Sequence, residues 1–421
     1  MNYPNMVPIR QSFERTRLDN IPEAVRSELG KIGLNQIIKP GQTVALTAGS
    51  RGIANIPAIL KSTIQFLGDL GARPFIVPAM GSHGGATAEG QVQLLESYGI
   101  SEATMGVPIL SSMETVSLGS TSEGYPIFLD KHASEADHIA VIGRIKPHTG
   151  FHGPIESGLL KMMMIGLGKH QGALYYHRLL LDLPYQQVVR SVGRVVRERA
   201  KITFGLGIVE NAYDETALIR AVLPADFEPV EEELLTKARK WLPQLPFRQA
   251  DLLIVDEIGK NISGSGMDTN VVGRKRAHRH DSTSGQPDFR LIYVRSLSEK
   301  THGNATGLGL ADFTRKSVVD ALNYKATVIN CLTAGYPEGA DIPVHFDSDR
   351  EILEAALMII GLRQPHEARI LHIRNTLQIE KMEISEPCLQ ETERVTDFQV
   401  TGEPRPINFN AAGNIADLQG H

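Results

Sequence analysis

The stretch "QTVALTAGSRGIANIPAILKSTIQFLGDLGARPFIVPAMGSHGG", from Gln42 to Gly85, decides the fold class of this chain. It contains two short β-rich runs that each end in a turn of glycine and serine, with an apolar pattern of helical period between them. A strand, a helix and a strand at this spacing form a right-handed βαβ unit with parallel strands. The stretch therefore predicts an α/β fold built on a mainly parallel sheet.

The alternation of strand-like and helix-like segments continues through the first half of the chain. "TAEGQVQLLESYGI" predicts a helix that begins at Thr87, and "DHIAVIGRIKPHTG" predicts another strand that ends in a loop. Helices are expected over 183–200 and 228–246, and a hairpin over 201–224 with its turn near residues 211–214.

The second half repeats the α/β pattern. "ADLLIVDEIG", "FRLIYVRSL", "KATVINCLTAG" and "ARILHIRNT" predict strands, while "GLADFTRKSVVDALN" and "DREILEAALMIIG" predict helices. Residues beyond Ser385 have weak periodicity and are expected to be irregular. The proline-rich segment 242–249 is the candidate boundary between two α/β domains, 1–245 and 250–421, with the active site expected in the cleft between them.

Composition excludes several classes of protein. The chain has 421 residues, 42% of them hydrophobic, and a formal net charge of −5 without a basic tail, so neither a nucleic acid nor a membrane is expected as a partner. Only Cys331 and Cys388 are present, too few for a disulfide framework, and the start of the chain has no apolar signal region. A cytoplasmic location is therefore expected.

Parallel sheets bind ligands in the crevice at the carboxyl ends of their strands. Three loops should meet there, "AGSRG", "MGSHGGAT" and "KPHTGFHG", and each sets a basic residue beside glycines: Arg51, His83 and His148. The motifs of dinucleotide-binding, P-loop, zinc-hydrolase and serine-hydrolase enzymes are all absent. Between Lys146 and His177 the only acid is Glu156, so a region rich in histidine and lysine predicts an anionic substrate or cofactor.

These residues resemble a known family. The segments "SRGI", "GSHGGATAE" and "KPH", followed by a lysine and, sixteen residues later, a histidine, resemble lactate racemase and its homologues. Those enzymes use a nickel-pincer nucleotide to racemise or epimerise 2-hydroxy acids. The resemblance covers most of the first 245 or so residues and is more diffuse beyond them.

The resemblance implies a cofactor and its ligands. The cofactor would be nickel pyridinium-3,5-bisthiocarboxylic acid mononucleotide, covalently tethered at Lys161, with His177 completing a square-planar nickel site. His83 and His148 would be the acid/base pair, and Arg51 would bind an anion. The enzymes that synthesise the cofactor would be partners of the chain.

The resemblance also implies roles for the two expected domains. The first would hold the cofactor and the catalytic residues, and the second would close over the substrate. Lys260 and Arg276 are candidate substrate ligands from the second domain, with Arg274 competing for that role.

Some positions depart from the family pattern. The loop after His148 is longer than the family's, which leaves open whether His148 or His152 is the second acid/base residue. The departures argue against lactate and favour a larger or more polar 2-hydroxy acid, such as a sugar acid. The alternatives are a metal-dependent hydrolase or lyase that uses the same histidines, and a non-catalytic member of the fold that binds a nucleotide or sugar acid.

Overall fold

The structure, a computed structural model, describes residues 1–50, 52–275 and 286–418. It divides into an N-terminal unit, Glu14–Leu242, and a C-terminal unit made of Met1–Phe13 and the described residues from Pro243 onward. The first domain was expected to begin at residue 1. The structure differs there, because strand β1 (Met6–Gln11) pairs antiparallel with Lys381–Ser385 in the sheet of the C-terminal unit.

The N-terminal unit is built on a five-stranded sheet of order β3-β2-β6-β7-β8. The first four of these strands run parallel, and β8 returns antiparallel to β7 as the predicted hairpin. Strands β4 and β5 form a separate antiparallel pair. The strands are β2 (Thr43–Ala48), β3 (Arg73–Pro78), β4 (Thr115–Ser120), β5 (Pro126–Asp130), β6 (His138–Arg144), β7 (Ile202–Glu210) and β8 (Thr216–Val222).

Helices cover both faces of this sheet, so its central strands are buried on both sides. Along β2, Ala45 packs into one hydrophobic cluster while Val44 and Leu46 pack into the other. The side chain of Thr87 caps the helix that follows it, which confirms the predicted start. The helices are α1 (Ile21–Lys31), α2 (Leu34–Ile37), α3 (Ile56–Asp69), α4 (Ala88–Ser97), α5 (Glu102–Met105), α6 (Lys131–Glu135), α7 (Leu159–Lys161), α8 (Lys169–Leu179), α9 (Tyr185–Arg199) and α10 (Phe227–Trp241).

The C-terminal unit contains an eight-stranded sheet of order β12-β11-β10-β9-β13-β14-β1-β15. Its strands are parallel from β12 to β13, and the pairs beyond β13 are antiparallel. The strands are β9 (Gln249–Ile258), β10 (Asp288–Leu297), β11 (Phe313–Arg315), β12 (Val344–Phe346), β13 (Ile370–Ile373), β14 (Lys381–Ser385) and β15 (Phe398–Val400), and the helices are α11 (Thr269–Val272), α12 (Lys316–Asp320), α13 (Tyr324–Thr333) and α14 (Asp349–Met358).

Two predictions in this unit are wrong. The stretch "KATVINCLTAG" forms helix α13 rather than a strand, because the Asn323 side chain caps its first turn by accepting from the Ala326 N–H at 3.1 Å. The expected helix over "GLADFTRKSVVDALN" is instead β11 followed by the short α12. None of the helices in the part of the chain that the structure describes has the length and apolar character needed to cross a bilayer.

A buried ionic cluster holds the C-terminal unit together. Arg295 is only 1% exposed and ion-pairs with Asp256 and Asp349. Asp349 also accepts from Arg315 Nη2 at 2.6 Å. The end of the chain joins the cluster through the Leu418 N–H, which donates to Asp256 Oδ2 at 2.7 Å. The cluster therefore ties the irregular tail to the sheet.

Replacing Asp349 with alanine should destabilise this unit by about 3–5 kcal/mol, because Arg295 and Arg315 would lose a buried partner. The measurement is urea unfolding of the full chain followed by circular dichroism. Asp320→Ala is the control, since its carboxylate pairs with Lys316 and is 61% exposed, and its cost should stay within about 0.5 kcal/mol. Equal losses in the two variants would contradict the importance of the cluster.

Candidate active site

The carboxyl ends of four parallel strands place their loops at one edge of the N-terminal sheet. The loops follow Ala48 of β2, Pro78 of β3, Arg144 of β6 and Glu210 of β7. Glu210 joins two of them, since its carboxylate ion-pairs with Arg144 and accepts from the Ala54 N–H at 2.6 Å. The three loops expected from the sequence therefore share this edge. Arg51, in the first loop, lies outside the described residues.

His83 is exposed in the second loop and oriented by its own turn. Its backbone N–H and its ring Nδ1 both lie within hydrogen-bond distance of the Met80 carbonyl oxygen, at 3.1 and 2.9 Å. A carbonyl oxygen only accepts, so Nδ1 must carry the hydrogen. The neutral ring then has its lone pair on Nε2, the arrangement of a general base.

His148 has the opposite arrangement in the third loop. Its Nδ1 accepts from the Gly150 N–H at 2.9 Å and from the Phe151 N–H at 3.1 Å, so the neutral ring carries its hydrogen on Nε2. The ring stacks on Phe151, with centroids 4.2 Å apart, and Phe151 stacks on Tyr185 at the same separation. The stack and the two N–H donors hold His148 as a hydrogen-bond donor.

The buried carboxylate of Glu156 shapes the long third loop. It accepts from the backbone N–H of His148 at 2.5 Å and from Arg239 Nη2 at 2.6 Å, and its side chain is 0% exposed. His152 lies beside the same carboxylate, with Nδ1 3.4 Å from Oε1, but its side chain is 45% exposed. The structure thus places His148 in a packed ring stack and His152 at the loop surface.

Lys161 is half-buried at the end of α7, and its Nζ lies 5.7 Å from the centroid of the Phe151 ring. Phe151 therefore brings Lys161 and His148 to one place. A π-helical turn, Met162–Gly166, follows Lys161; such turns are frequent at functional sites.

The π-helical turn packs against the first two loops through glycines. A Cβ added at Gly49 would lie 3.1 Å from Met162 Cε, and one added at Gly81 would lie 3.1 Å from Ile165 Cγ2. Larger residues at these glycines would crowd the turn. Met163 and Met164 are buried in the core, whereas Met162 faces the first loop.

Glu231 of α10 holds the start of α7, the helix that carries Lys161. It is fully buried and accepts from the Leu160 N–H at 3.1 Å, at the start of α7. Burial raises the pKa of this carboxyl group to about 8, and Glu228 and Glu232 add to the effect. Glu231 is therefore mostly protonated at neutral pH.

The remaining candidates lie further along the chain. His177 is half-buried near the end of α8. In the C-terminal unit, Lys260 Nζ donates to the Gly264 carbonyl at 3.2 Å. Arg274 is engaged in the fold, because it pairs with Asp312 at 2.7 Å and donates to the Leu310 carbonyl oxygen at the same distance. Arg276 lies outside the described residues.

Comparison with known proteins agrees with this architecture. Residues 6–188 match the family described as the lactate racemase N-terminal domain. The structure of the lactate racemase apoprotein from Thermoanaerobacterium thermosaccharolyticum is similar to this chain, with a TM-score of 0.53 and 13% identity over 89% of this chain and 99% of that one. That likeness shows a shared fold. No curated protein sequence matches the chain.

The match over residues 6–188 supports a racemase or epimerase kind of activity, which is that of an isomerase. The described residues contain no group of three or more His, Cys, Asp or Glu side chains arranged to hold a metal ion.

Several residues that build the site carry no motif in the sequence. Phe151, Tyr185 and Glu231 look like ordinary core or loop residues there, and only their contacts reveal their positions. The same holds for Gln91, whose Nε2 donates to the His83 carbonyl oxygen at 3.2 Å. Glu156 carries the clearest sequence signal, as the only acid between Lys146 and His177.

The opposite arrangements of the two histidine rings can be observed directly. In the protein labelled with ¹⁵N-histidine, we expect long-range ¹H–¹⁵N spectra above the histidine pKa to show hydrogen on Nδ1 of His83 and on Nε2 of His148. Spectra of His83→Gln and His148→Gln assign the signals. The same tautomer at both rings would contradict the geometry described above.

Glu231 should make stability depend on pH. Its pKa is raised by folding, so the folded chain retains a proton that the unfolded chain releases between about pH 4.5 and 8. Its stabilising contribution is complete below that window and is lost as the pH rises through it, by up to roughly 1.4 kcal/mol per pH unit.

Urea unfolding across this range tests the effect. Glu231→Gln should flatten the dependence, whereas Glu198→Gln, at an exposed position of α9, should leave it unchanged. An unaltered slope in Glu231→Gln would show that Glu231 titrates normally.

Proposed function

We propose that this chain is a racemase or epimerase of 2-hydroxy acids that works with a nickel-pincer nucleotide. The observation that carries the proposal is the convergence on Phe151: the His148 ring stacks on it, and the Lys161 ammonium lies 5.7 Å from its centroid. Lys161 is suited to tethering a cofactor, and His148 is suited to contacting a substrate. Both follow the carboxyl end of a strand in a parallel sheet, where α/β proteins bind ligands.

The residues present suit such a cofactor. A pincer nucleotide brings its own sulfur donors and requires one imidazole from the protein, which His177 would provide. Lys161 would form the covalent link, and the apolar side chains of Phe151 and Met162 beside it would shield a flat ring from water. When bound, the nucleotide would supply the acceptor and donor of the C2 hydride. Arg51 would bind its phosphate or the substrate carboxylate.

The two histidines would act on the substrate hydroxyl group. His83 Nε2 would accept the hydroxyl proton as the C2 hydride leaves, which turns the 2-hydroxy acid into a 2-keto acid. His148 Nε2–H would donate a hydrogen bond to a substrate oxygen and hold the keto acid in place. Inversion would require the keto acid to turn the opposite face of C2 towards the hydride donor, and His83 would then return the proton to the substrate oxygen. His148 would become the base only after its Nδ1 released the two backbone N–H donors.

The substrate is proposed to be larger or more polar than lactate, such as a sugar acid. Lys260 and Arg276 remain the proposed second-domain ligands for its carboxylate or hydroxyl groups, since Arg274 is already paired with Asp312. The chain would receive its cofactor from cofactor-synthesis enzymes, and we place it in the cytoplasm on its cysteine content.

The test is coexpression of the chain with cofactor-synthesis enzymes. We expect an added mass that maps to Lys161, about one nickel per chain, and interconversion of the isomers of at least one 2-hydroxy acid in a panel from lactate to sugar acids. Stoichiometric zinc with an unmodified Lys161 would contradict the proposal and favour a metal-dependent hydrolase or lyase.

His83→Ala should lower kcat by about 10²- to 10⁴-fold in both directions, because the loaded enzyme would lose its general base. Chiral chromatography measures the rates from each isomer. His366→Ala is the matched control, since His366 is exposed in the segment between α14 and β13 and lies in none of the three loops, and its kcat should change by less than about threefold. Full activity of His83→Ala from both isomers would show that the base lies elsewhere.

A further inference from the structure

Lys169 is a fully buried lysine to which the proposed reaction gives no role. It is 0% exposed at the start of α8, and its backbone φ of 53° lies in the left-handed region that favours glycine. That conformation costs of order 1 kcal/mol at a non-glycine residue, and burying a charge costs several more. The surrounding structure must therefore offset both costs.

The Lys169 ammonium has three N–H donors and three acceptors close to it. Nζ donates to the Pro78 carbonyl oxygen at 2.8 Å and to Gln91 Oε1 at 2.7 Å. Asp130 Oδ2 lies 3.5 Å away and is also fully buried, so it supplies the countercharge. Pro78 is the last residue of β3, directly before the loop that carries His83.

Gln91 connects Lys169 to the loop that carries His83. It is 0% exposed, and its Nε2 donates to the Gly81 carbonyl oxygen at 3.0 Å and to the His83 carbonyl oxygen at 3.2 Å. Because Oε1 accepts from a cationic donor, the amide has one orientation only. Lys169 thus selects the direction in which Gln91 presents its two N–H groups.

The loop needs such an attachment because its backbone is strained. Gly84, Gly85 and Ala86 follow His83 with φ of 65°, 66° and 55°, so three successive residues lie in the left-handed region. Ala86 pays a steric cost there that glycine does not. Strain of this kind persists only where neighbouring contacts over-determine the backbone, and it is concentrated at functional sites.

We propose that Lys169 and Gln91 are positioning residues for His83. The ammonium of Lys169 orients the Gln91 amide, and the amide holds the Gly81 and His83 carbonyls so that the ring keeps its bond to Met80. Since Lys169 begins α8, the same ammonium joins the His83 loop to the helix that carries His177. The importance of this for catalysis rests on the proposed function; the positioning itself does not.

The substitution Gln91→Glu tests the hydrogen bonds between the Gln91 amide and the His83 loop. The new carboxylate keeps an oxygen for Lys169 but replaces the amide nitrogen with a second oxygen, which repels the two loop carbonyls. We expect the variant to remain folded. Its His83 ¹⁵N signals should move from those of the single Nδ1–H tautomer towards the average of the Nδ1–H and Nε2–H tautomers. In the loaded enzyme, kcat should fall about 10- to 100-fold while KM changes by less than about threefold.

Gln171→Glu is the matched control, because it makes the same substitution on the exposed face of α8 and should leave the His83 signals unchanged. The double variant Lys169→Met/Asp130→Asn removes the charge pair without leaving either partner buried alone. It should also move the His83 ¹⁵N signals towards the average of the two tautomers. Wild-type His83 signals in Gln91→Glu, or in the folded double variant, would overturn the proposal.

The two proposals fail separately. Displaced His83 signals in Gln91→Glu would uphold the positioning role even if coexpression gave stoichiometric zinc and an unmodified Lys161, an outcome that would refute only the proposed function.

Discussion

Parallel pairing of β6 between β2 and β7 is the constraint on which the rest of the N-terminal unit depends. Parallel strands end at the same edge of a sheet, so every loop that leaves a carboxyl end is delivered to one place. His83 is far from His148 and Lys161 in the sequence, and this pairing brings together the segments that carry them. A strand of the opposite direction would have sent its loop to the far edge.

The loops that carry the candidate site residues lack the hydrogen-bond ladder that stiffens a strand, so buried polar side chains hold them. Glu156 binds the backbone of the His148 loop, and Glu231 caps the start of the Lys161 helix. Gln91, backed by Lys169, binds the His83 loop. Each of these groups costs free energy to bury, and that cost is offset by hydrogen bonds that fix the backbone of these loops.

The strand-and-helix pattern of the N-terminal unit was predictable because its signals are local. Hydrophobic period, glycine-rich turns and the Thr87 cap all lie within a few residues of the elements they define. The prediction failed for α13, where Val328, Ile329 and neighbouring apolar residues indicated a strand but the Asn323 cap favoured a helix. β1 could not be placed from sequence, since its partner β14 lies more than 360 residues away.

The sequence by itself determined the fold class, the three loops and the candidate residues His83, His148, Lys161 and His177, because turn chemistry and periodicity are written in short stretches. Only the tertiary structure decided how these residues are held. Phe151 became the meeting point of His148 and Lys161, and a lysine in an apolar run became the support of the His83 loop. The reason is physical: ring tautomer, burial and hydrogen-bond partners are properties of contacts between distant segments, which no local pattern encodes.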